Sequence, residues 1–581
     1  MAKLIYQEHF WGILAAFIVG IICIAPQIVF IISLGDQYRG IPMMQTPNEE
    51  AYLAIIREVN EGHILAASFP FFEYKNSLPL LPPTIPIFYA FFAWLFNLNL
   101  VNLLIASKFI LPAVLFFLVY LLIYKLEGEP AEWQGKLNAI AGGLAVVLGF
   151  DLVDYRTALS FLFGADSPQN FLIWTRPVNP ISGAVLLFIF LIGLLELVEK
   201  NKKFWIWISG LALALMTASY VFSWTLALAV TGLLGLFYLV EKRFDAIRNL
   251  LKVVVLVIIF SLPYWIMVWS SSLAPGFVDA AGRIGTIYTH QPVLNKFLFF
   301  VLIIFATASF FFKKELKGNK PLWWLFSAAF ILGGFIVYNH QILTGIDVWH
   351  YHYVFYTIPL GLVVLSLTLW HYLRPKLPSV WLAIVYVIIF SSSAFGIYTQ
   401  MAVFGNNFQS YKDFQRHAAL TDFLNSSGKN GCVVLSNKHD GLWPNFIPAF
   451  TSCDMYTSGE IENMVPRERL YHNYLVLLRL KGVAASEIDS YLKNNRNEAY
   501  GFLRSQIFDA DVYPDAKFRE AFGRLPANYR EFLKKDFRDE LFKYRLDYIL
   551  SDGALRETVV KSLSLEKIFN VDNMFLYSFI K

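Results

Sequence analysis

Long apolar segments alternate with short polar loops through the first 400 residues of the chain. Each is close to the length of about 20 residues that a helix needs to cross a bilayer. These segments lie at 10–33, 101–124, 137–152, 180–198, 204–220, 222–241, 253–270, 294–312, 321–338, 353–372 and 377–400. A shorter apolar stretch at 85–98 follows four prolines and predicts a broken or interfacial helix. The pattern predicts a polytopic α-helical membrane protein with about 11 to 13 spans, whose first span, at 11–32, is retained as an anchor.

Basic residues gather in five of the loops, at 125–136, 200–203, 242–252, 313–320 and 374–376. Lysine and arginine in short loops favour the cytoplasmic side. Each consecutive pair of these loops encloses two spans. All five loops are therefore expected on the cytoplasmic side, provided that the segment 84–124 crosses the membrane once. The outer face of the cell (inner or plasma) membrane is then expected to carry everything after residue 400 and the loops 34–83, 153–179, 271–293 and 339–352.

The composition changes near residue 406, where apolar runs shorten and charged residues become dense. Strands predicted at 432–436, 548–551 and 575–579 alternate with helices predicted near 411–425, 466–481, 485–493 and 527–543. We therefore expect a transmembrane domain at 1–405 and an extracytoplasmic soluble α/β domain at 406–581. Cys432 and Cys453 in the second domain either form a disulfide or remain two separate buried thiols, because sequence alone does not supply the required geometry.

The overall composition supports the membrane class. Of 581 residues, 57% are hydrophobic and only 16% are charged, which is too apolar for a soluble protein of this length. The net charge of +5 is small and spread along the chain, so no basic stripe is available to follow the phosphates of nucleic acid. Membrane lipids are therefore expected partners, and nucleic acid is not.

Carboxylates stand out in the first outer loop, 34–83. Asp36 follows the first span, and Glu49 and Glu50 precede a helical pattern that includes Tyr52. The apolar positions at one helix face predict an amphipathic helix lying in the membrane interface. On its own, an acidic pair at a helix N-terminus is typical of capping and of the first helical turn.

The stretches "NEEAYLAIIREVNEGH" at 48–63 and "EYKNSLPLLPP" at 73–83 together resemble the first periplasmic loop of the GT-C superfamily of membrane glycosyltransferases, of the aminoarabinose-transferase and protein O-mannosyltransferase kind. The resemblance implies transfer of a sugar from a polyprenyl-phosphate donor to an acceptor on the outer face, with inversion. It implies an acidic base in this loop, with Glu49 the first choice, Glu50 the second and Asp36 a further candidate. Asn48 stands where the family commonly has aspartate, and Lys75 precedes Pro82 and Pro83 instead of adjoining them.

The leaving phosphate in such a reaction needs cations, and arginine and lysine in the outer loops supply them. The candidates for binding lipid phosphate or acceptor are Lys75, Arg176, Arg283, Arg156, His352 and Tyr52. An arginine in such a loop also commonly extends towards lipid head groups without any catalytic role. No spacing around His352 matches a specific zinc or calcium pattern, so a divalent metal is not expected. Lys108 places a charge inside a predicted span, which makes it a functional candidate.

Two other functions stay open. A transporter would concentrate ionisable groups near the membrane midplane, often in repeated halves, whereas this chain keeps its charges at span ends and outer loops. A catalytically silent homologue acting in envelope assembly would tolerate the loss of both Glu49 and Glu50. The sugar and the acceptor, whether glycan, lipid or protein, are not specified by the sequence.

Overall fold

A computed structural model describes residues 2–283, 286–311, 320–427, 431–438, 443–458, 464–503 and 516–580. Its longer helices through the first 414 residues are α1 Ala2–Leu34, α2 Glu49–Asn60, α3 Thr84–Phe96, α4 Leu100–Leu126, α5 Trp133–Val147, α6 Tyr155–Phe163, α7 Ile181–Lys200, α8 Phe204–Thr217, α9 Val221–Val240, α10 Phe244–Ser272, α11 Phe277–Arg283, α12 Lys296–Phe311, α13 Leu322–Tyr338, α14 Gln341–Thr344, α15 Val354–Thr368 and α16 Pro378–Phe414. A short antiparallel pair, β1 Thr286–Tyr288 and β2 Ile346–Val348, joins two of the connecting segments.

The remaining helices are α17 Ala418–Ser426, α18 Trp443–Phe450, α19 Arg467–Leu480, α20 Ile488–Asn494, α21 Arg496–Leu503, α22 Ala516–Leu533, α23 Phe537–Leu541 and α24 Glu557–Ser562. They accompany the strands β3 Val433–Ser436, β4 Asp454–Met455, β5 Tyr548–Asp552, β6 Leu565–Val571 and β7 Met574–Phe579. The three strands predicted from the sequence are thereby confirmed as β3, β5 and β7.

Eight helices within the described residues are long and apolar enough to cross a membrane. They correspond to α1, α4, α7, α9, α10, α13, α15 and α16. The apolar helices α3, α8 and α12 are shorter, and α5 has 15 residues. A helix therefore stands at each predicted apolar segment, while the number of spans remains a prediction.

Small residues let the helices of the membrane domain approach one another closely. A Cβ added at Gly142 of α5 would collide with Ile123 of α4, and one at Gly143 would lie 2.7 Å from Phe116 of the same helix. Without a strong hydrophobic drive between helices in lipid, such close contact is a main source of their association. The result is one large apolar core around α4, α7, α9 and α15.

The C-terminal region folds around a five-stranded sheet of order β4-β3-β5-β7-β6. Strand β3 runs parallel to β4 and β5, while β7 is antiparallel to β5 and β6. Alternate residues of β3 face two different cores: Val433 and Leu435 pack with α19 and α22, and Val434 packs with α17 and α18. Because both faces are covered, β3 reads in the sequence as a continuous apolar run.

Cys432, next to β3, is bonded to Cys453, next to β4, with 4.4 Å between their Cα atoms. Of the two arrangements that the sequence left open, the structure shows the disulfide. The proposed domain boundary at 405/406 lies inside α16, which continues to Phe414 without a break. The long helix therefore carries the chain directly from the membrane domain into the C-terminal one.

Helix α2 is where the two domains meet. Its apolar residues Leu53, Ala54 and Ile56 are fully buried, and the helix packs against α18 of the C-terminal domain and against α3 and α4. Arg57 donates from Nε to the backbone carbonyl of Ala449 at the end of α18. The amphipathic pattern thus predicts the helix correctly, but its apolar side is covered by protein.

Candidate active site

The first turn of α2 turns Glu49 into the interior of the protein. The preceding residue, Asn48, has a φ of 56° in the left-handed region, which asparagine adopts more readily than most residues. The Thr46 hydroxyl donates a 2.7 Å hydrogen bond to Oε2 of Glu49. The short "TPNE" turn therefore fixes both the start of the helix and the direction of this carboxylate.

Lys108, on the neighbouring helix α4, supplies the charge that opposes Glu49. Its Nζ lies 2.5 Å from Oε1 of Glu49, and the two residues are only 2% and 1% exposed. A buried carboxylate is strongly disfavoured unless a partner neutralises it. The lysine inside the predicted span and the acidic residue of the first loop thus form one buried ion pair.

The other two candidate bases have different surroundings. Glu50 is half-buried on α2. Because adjacent side chains on a helix point about 100° apart, Glu50 points in a different direction from Glu49. Asp36 is exposed on the one-turn helix Gly35–Gln37 after α1. Glu49 itself is almost fully buried, between Thr46 in the loop before α2 and Lys108 on α4.

One helical turn beyond Glu49, Tyr52 holds the guanidinium of Arg176. The Nη2 atom of Arg176 donates a 2.9 Å hydrogen bond to the Tyr52 hydroxyl, and the guanidinium carbon lies 5.0 Å from the centre of the tyrosine ring. Arg176 is 9% exposed, and its buried Nε has no hydrogen-bond partner among the residues that the structure describes. The guanidinium is thus positioned with part of its hydrogen-bonding capacity unused.

The loop that carries Arg176 is itself held in place. Trp174 donates from its indole nitrogen to the carbonyl of Val146 at 2.8 Å, and the Thr175 hydroxyl donates to the carbonyl of Leu172 at 2.7 Å. These bonds tie the segment before Arg176 to the end of α5. A ligand would therefore meet a guanidinium that is already oriented, which reduces the entropy lost on binding.

His352 lies near enough to Arg176 to feel its charge. Its Nδ1 is hydrogen-bonded to the hydroxyl of Tyr220, its ring stacks with that of Trp349 at 5.4 Å, and the charge of Arg176 acts on it electrostatically. Tyr220 also lies 6.0 Å, between ring centres, from Tyr356. Arg176, Tyr52 and His352, which the sequence analysis proposed from three separate loops, thus belong to one polar group.

Lys75 is engaged elsewhere. Its Nζ lies 3.0 Å from Oε1 of Glu58 and 2.8 Å from Oδ1 of Asp454, and all three residues are buried. Burial raises the pKa of Asp454 to about 8 and also raises that of Glu58. For Lys75, burial disfavours the charge, but the two carboxylates outweigh it and raise the pKa. Lys75 therefore joins the first outer loop to the C-terminal domain.

Arg156 and Arg283 are the two remaining predicted ligands. Arg156 is exposed on α6, where its Nε donates to the hydroxyl of Tyr155 at 3.2 Å. Arg283 ends α11, and its side chain lies outside the described residues. The binding roles proposed for Lys75, Arg156 and Arg283 therefore stay predictions.

Sequence reasoning missed three partners: Thr46, Tyr220 and Asp454. A lone lysine in a predicted span did signal that an acidic partner exists, but nothing local identified Glu49 as that partner. Asp454 carries no local signal at all, because its contact with Lys75 forms only when the C-terminal domain packs on the first loop. Within the described residues, no group of three or more histidine, cysteine, aspartate or glutamate side chains is placed to hold a metal ion.

No family model matches the chain, and no curated protein matches its sequence. Solved structures do resemble its backbone. ArnT from Cupriavidus metallidurans bound to undecaprenyl phosphate is similar over 98% of both chains, at 10% identity and a TM-score of 0.46. The Archaeoglobus fulgidus oligosaccharyltransferase in the apo form is similar over 94% of this chain and 70% of its own, at 13% identity and a TM-score of 0.45. The arabinofuranosyltransferase AftD from Mycobacteria is similar over 98% of this chain and 40% of its own, at 12% identity and a TM-score of 0.46. All three are GT-C glycosyltransferases.

Proposed function

We propose that this protein is an integral membrane glycosyltransferase that moves a sugar from a polyprenyl-phosphate-linked donor to an acceptor on the outer face of the cell membrane. Glu49 is the proposed base, with Glu50 as the second candidate. The observation that carries the proposal is the placement of Glu49 and Arg176 around one end of α2. Glu49 and Tyr52 lie one turn apart on α2, and Tyr52 holds the guanidinium of Arg176 beside that helix.

The reaction requires both kinds of group. The base accepts the proton of the acceptor's hydroxyl or amide while the acceptor atom attacks the anomeric carbon. The bond between that carbon and the phosphate oxygen breaks, and its electron pair leaves with the polyprenyl phosphate. Attack opposite to the leaving group inverts the configuration at the anomeric carbon. The negative charge that develops on the phosphate needs a cation nearby.

Arg176 is the proposed partner of the leaving phosphate. Arginine presents several N–H donors in one plane and can bind two phosphate oxygens at once. Tyr52 occupies Nη2, whereas Nε has no partner within the described residues. His352, on which the charge of Arg176 acts, and its hydrogen-bonded neighbour Tyr220 are proposed to contact the sugar or the acceptor. Binding of the phosphate would satisfy the buried Nε.

Both carboxylate oxygens of Glu49 are engaged: Oε1 faces the ammonium of Lys108, and Oε2 accepts from the hydroxyl of Thr46. Acceptance of a proton therefore requires that the acceptor displaces one of these contacts, and Thr46, an uncharged donor, is the easier one to displace.

The burial of Glu49 and Lys108 also favours a second candidate function, that of a catalytically silent homologue. In that case Glu49, Lys108 and Thr46 serve only to fix α2 against α4. The two functions differ in what they require of the carboxylate: the enzyme needs its basicity, whereas the scaffold needs only its contacts.

Sugar transfer in membranes tests the proposal directly. Washed membranes of the source organism, which supply the acceptor, would receive purified protein and a panel of radiolabelled polyprenyl-phosphate sugars. The proposal expects labelled product from at least one donor, in proportion to the protein added. No transfer from any donor in the panel would support the silent homologue.

A further inference from the structure

A cleft of about 320 Å³ lies between α6 and α16, away from the ion pair of Glu49. We call it the α6 cleft. Its volume falls at the lower end of the range typical of small-molecule sites. The residues that define its chemistry are Asp151, Arg156, Ser160, Phe161, Tyr398 and Thr399.

Two polar groups in the α6 cleft have unused hydrogen-bonding capacity. Thr399 is 3% exposed, and its Oγ1 has no partner in the part of the chain that the structure describes. Asp151 is half-buried. Among the residues that the structure describes, its carboxylate makes no hydrogen bond or ion pair, and Asp154 is the charged residue that acts on it electrostatically. A buried polar group is almost always satisfied, so the Thr399 hydroxyl facing this cavity, beside the half-buried carboxylate of Asp151, points to a ligand with hydrogen-bond donors.

Aromatic rings form one wall of the α6 cleft. The ring of Phe161 lies 5.3 Å from that of Tyr398 and 5.4 Å from that of Phe395, measured between centres. A sugar ring has hydroxyl donors around its edge and apolar C–H groups on its faces. Carboxylate and hydroxyl acceptors beside an aromatic wall therefore match a sugar better than they match a fully apolar or an anionic ligand.

The helix beside the cleft has an exposed apolar side. On α6, Tyr155, Leu159, Leu162 and Phe163 are all exposed, and their spacing of four, three and one residues puts them on one side of the helix. An exposed apolar stripe opposite a polar face is typical of a helix lying in the membrane interface. The mouth of the cleft is therefore placed where the head group of a lipid would lie.

A short segment connects the α6 cleft to the candidate active site. Asn170 lines the cleft, and the chain reaches Arg176 six residues later. On the way, the amide of Leu172 donates to the side chain of Gln400, the neighbour of Thr399, and the amide of Phe171 donates to the carbonyl of Gln45 in the loop before Glu49. A ligand in the cleft would thus lie beside the backbone that positions both catalytic candidates.

We propose that the α6 cleft binds a glycosyl group carried on a lipid at the outer surface of the bilayer. Asp151 and Thr399 accept hydrogen bonds from the sugar hydroxyls, and Phe161 and Tyr398 pack against the ring. One assignment rests on the proposed function: if the protein transfers a sugar, this glycosyl group is the sugar-bearing end of the acceptor. The proposal of a sugar site itself does not require that transfer occurs.

Binding is measured by saturation-transfer difference NMR on the full chain in nanodiscs, with methyl glycosides of common hexoses and N-acetylhexosamines as probes. We expect at least one to bind, with about a tenfold loss of affinity in Asp151→Asn and a smaller loss in Thr399→Val. Tyr398→Leu, at a half-buried position, provides a variant less prone to misfolding. Asp422→Asn, at an exposed position on α17, is the matched control and should bind as the unchanged protein does.

The octyl glycoside of the bound sugar, used below its micelle-forming concentration, tests the lipid carrier. It should displace the methyl glycoside at a concentration about ten times lower than the methyl compound itself requires. Equal potency of the two would overturn the lipid-borne source. Absence of binding by every glycoside, or equal binding by Asp151→Asn, Tyr398→Leu and the unchanged protein, would overturn the sugar site. Glycoside binding without sugar transfer would instead contradict the proposed function and leave the sugar site standing.

Discussion

The ammonium of Lys108 lies 2.5 Å from the carboxylate of Glu49, and both side chains are removed from solvent. Lys108 comes from the middle of α4, and Glu49 from the first turn of α2. Neither charge is tolerable in this environment without the other. The ion pair therefore ties the first outer loop to the membrane domain at the point where chemistry is proposed.

This pairing predicts a specific pattern of stability. Lys108→Met and Glu49→Gln each leave a group that has lost its partner, and the loss of one member of a buried pair costs about 3–5 kcal/mol. The double variant Glu49→Gln/Lys108→Met removes both charges and should recover most of that loss. Thermal unfolding in nanodiscs measures the effect. A double variant whose destabilisation equals the sum of the two single ones would show that the groups do not interact.

The contact between Tyr52 and Arg176 predicts how donor affinity responds to substitution. Arg176→Lys keeps the charge but loses the planar set of donors, so the KM for the lipid-linked donor should rise about tenfold, or about 1.4 kcal/mol. Tyr52→Phe releases the guanidinium without removing it and should raise KM by a smaller factor. Arg519→Lys, at an exposed position on α22, is the control. An unchanged donor KM in Arg176→Lys would remove Arg176 from the phosphate site.

The buried group of Glu58, Lys75 and Asp454 predicts a pH-dependent contact between the domains. Burial raises the pKa of Asp454 to about 8 in the folded protein, above the ordinary value of about 3.9 in the unfolded chain. Between these values the folded state binds a proton that the unfolded state has released. The contribution of Asp454 to the free energy of unfolding is therefore complete below the pKa of the unfolded chain, about 3.9, and declines as the pH rises to about 8.

Hydrogen exchange reports on this contact through the amide of Met455, which donates to the carbonyl of Pro70 across the same interface. Its protection should fall between pH 6 and pH 8 after correction for the intrinsic exchange rate. Asp454→Asn, which cannot ionise, should show a flatter profile. The same fall in both proteins would assign the pH dependence to another group.

The disulfide between Cys432 and Cys453 predicts that the C-terminal domain is sensitive to reduction. The bond closes a loop of moderate length between β3 and β4, and its loss typically costs about 3 kcal/mol. Cys432→Ser/Cys453→Ser should therefore expose the β3 amides to faster exchange than in the unchanged protein. A reducing agent should reproduce the effect in the unchanged protein and add nothing to the double variant. Equal hydrogen-exchange protection of the β3 amides in the double variant and in the unchanged protein would mean that the disulfide contributes no stability.

Local patterns in the sequence predicted much of the fold. Runs of apolar residues located the membrane helices, and the spacing of Tyr52, Ile55, Ile56 and Val59 on one helix face located α2. The same patterns do not specify which surfaces meet. The apolar side of α2 suited a lipid surface as well as α18, and only packing decides between them. The order of the sheet likewise depends on pairings such as β3 with β5, whose strands lie more than a hundred residues apart.

The candidate site shows the same limit. The resemblance of 48–63 to the GT-C loop marked Glu49, whereas residue type marked Arg176 in an outer loop and Lys108 inside a predicted span. Lys75 was also a candidate phosphate ligand, yet its two carboxylate neighbours come from α2 and from the C-terminal domain. Long-range contacts that complete a site leave no mark in the local sequence.

Sugar transfer by a charge-balanced variant shows whether Glu49 supplies the base. Glu49→Gln/Lys108→Met removes the carboxylate without leaving a buried charge, and its transfer rate per folded protein is compared with those of Lys108→Met and Glu50→Gln. If Glu49 is the base, the double variant loses transfer by a factor of about 10² to 10⁴ relative to Lys108→Met, as expected for loss of a general base. Glu50→Gln should retain most of the activity. Full transfer by the double variant, or its loss in Glu50→Gln alone, would show that Glu49 is not the base.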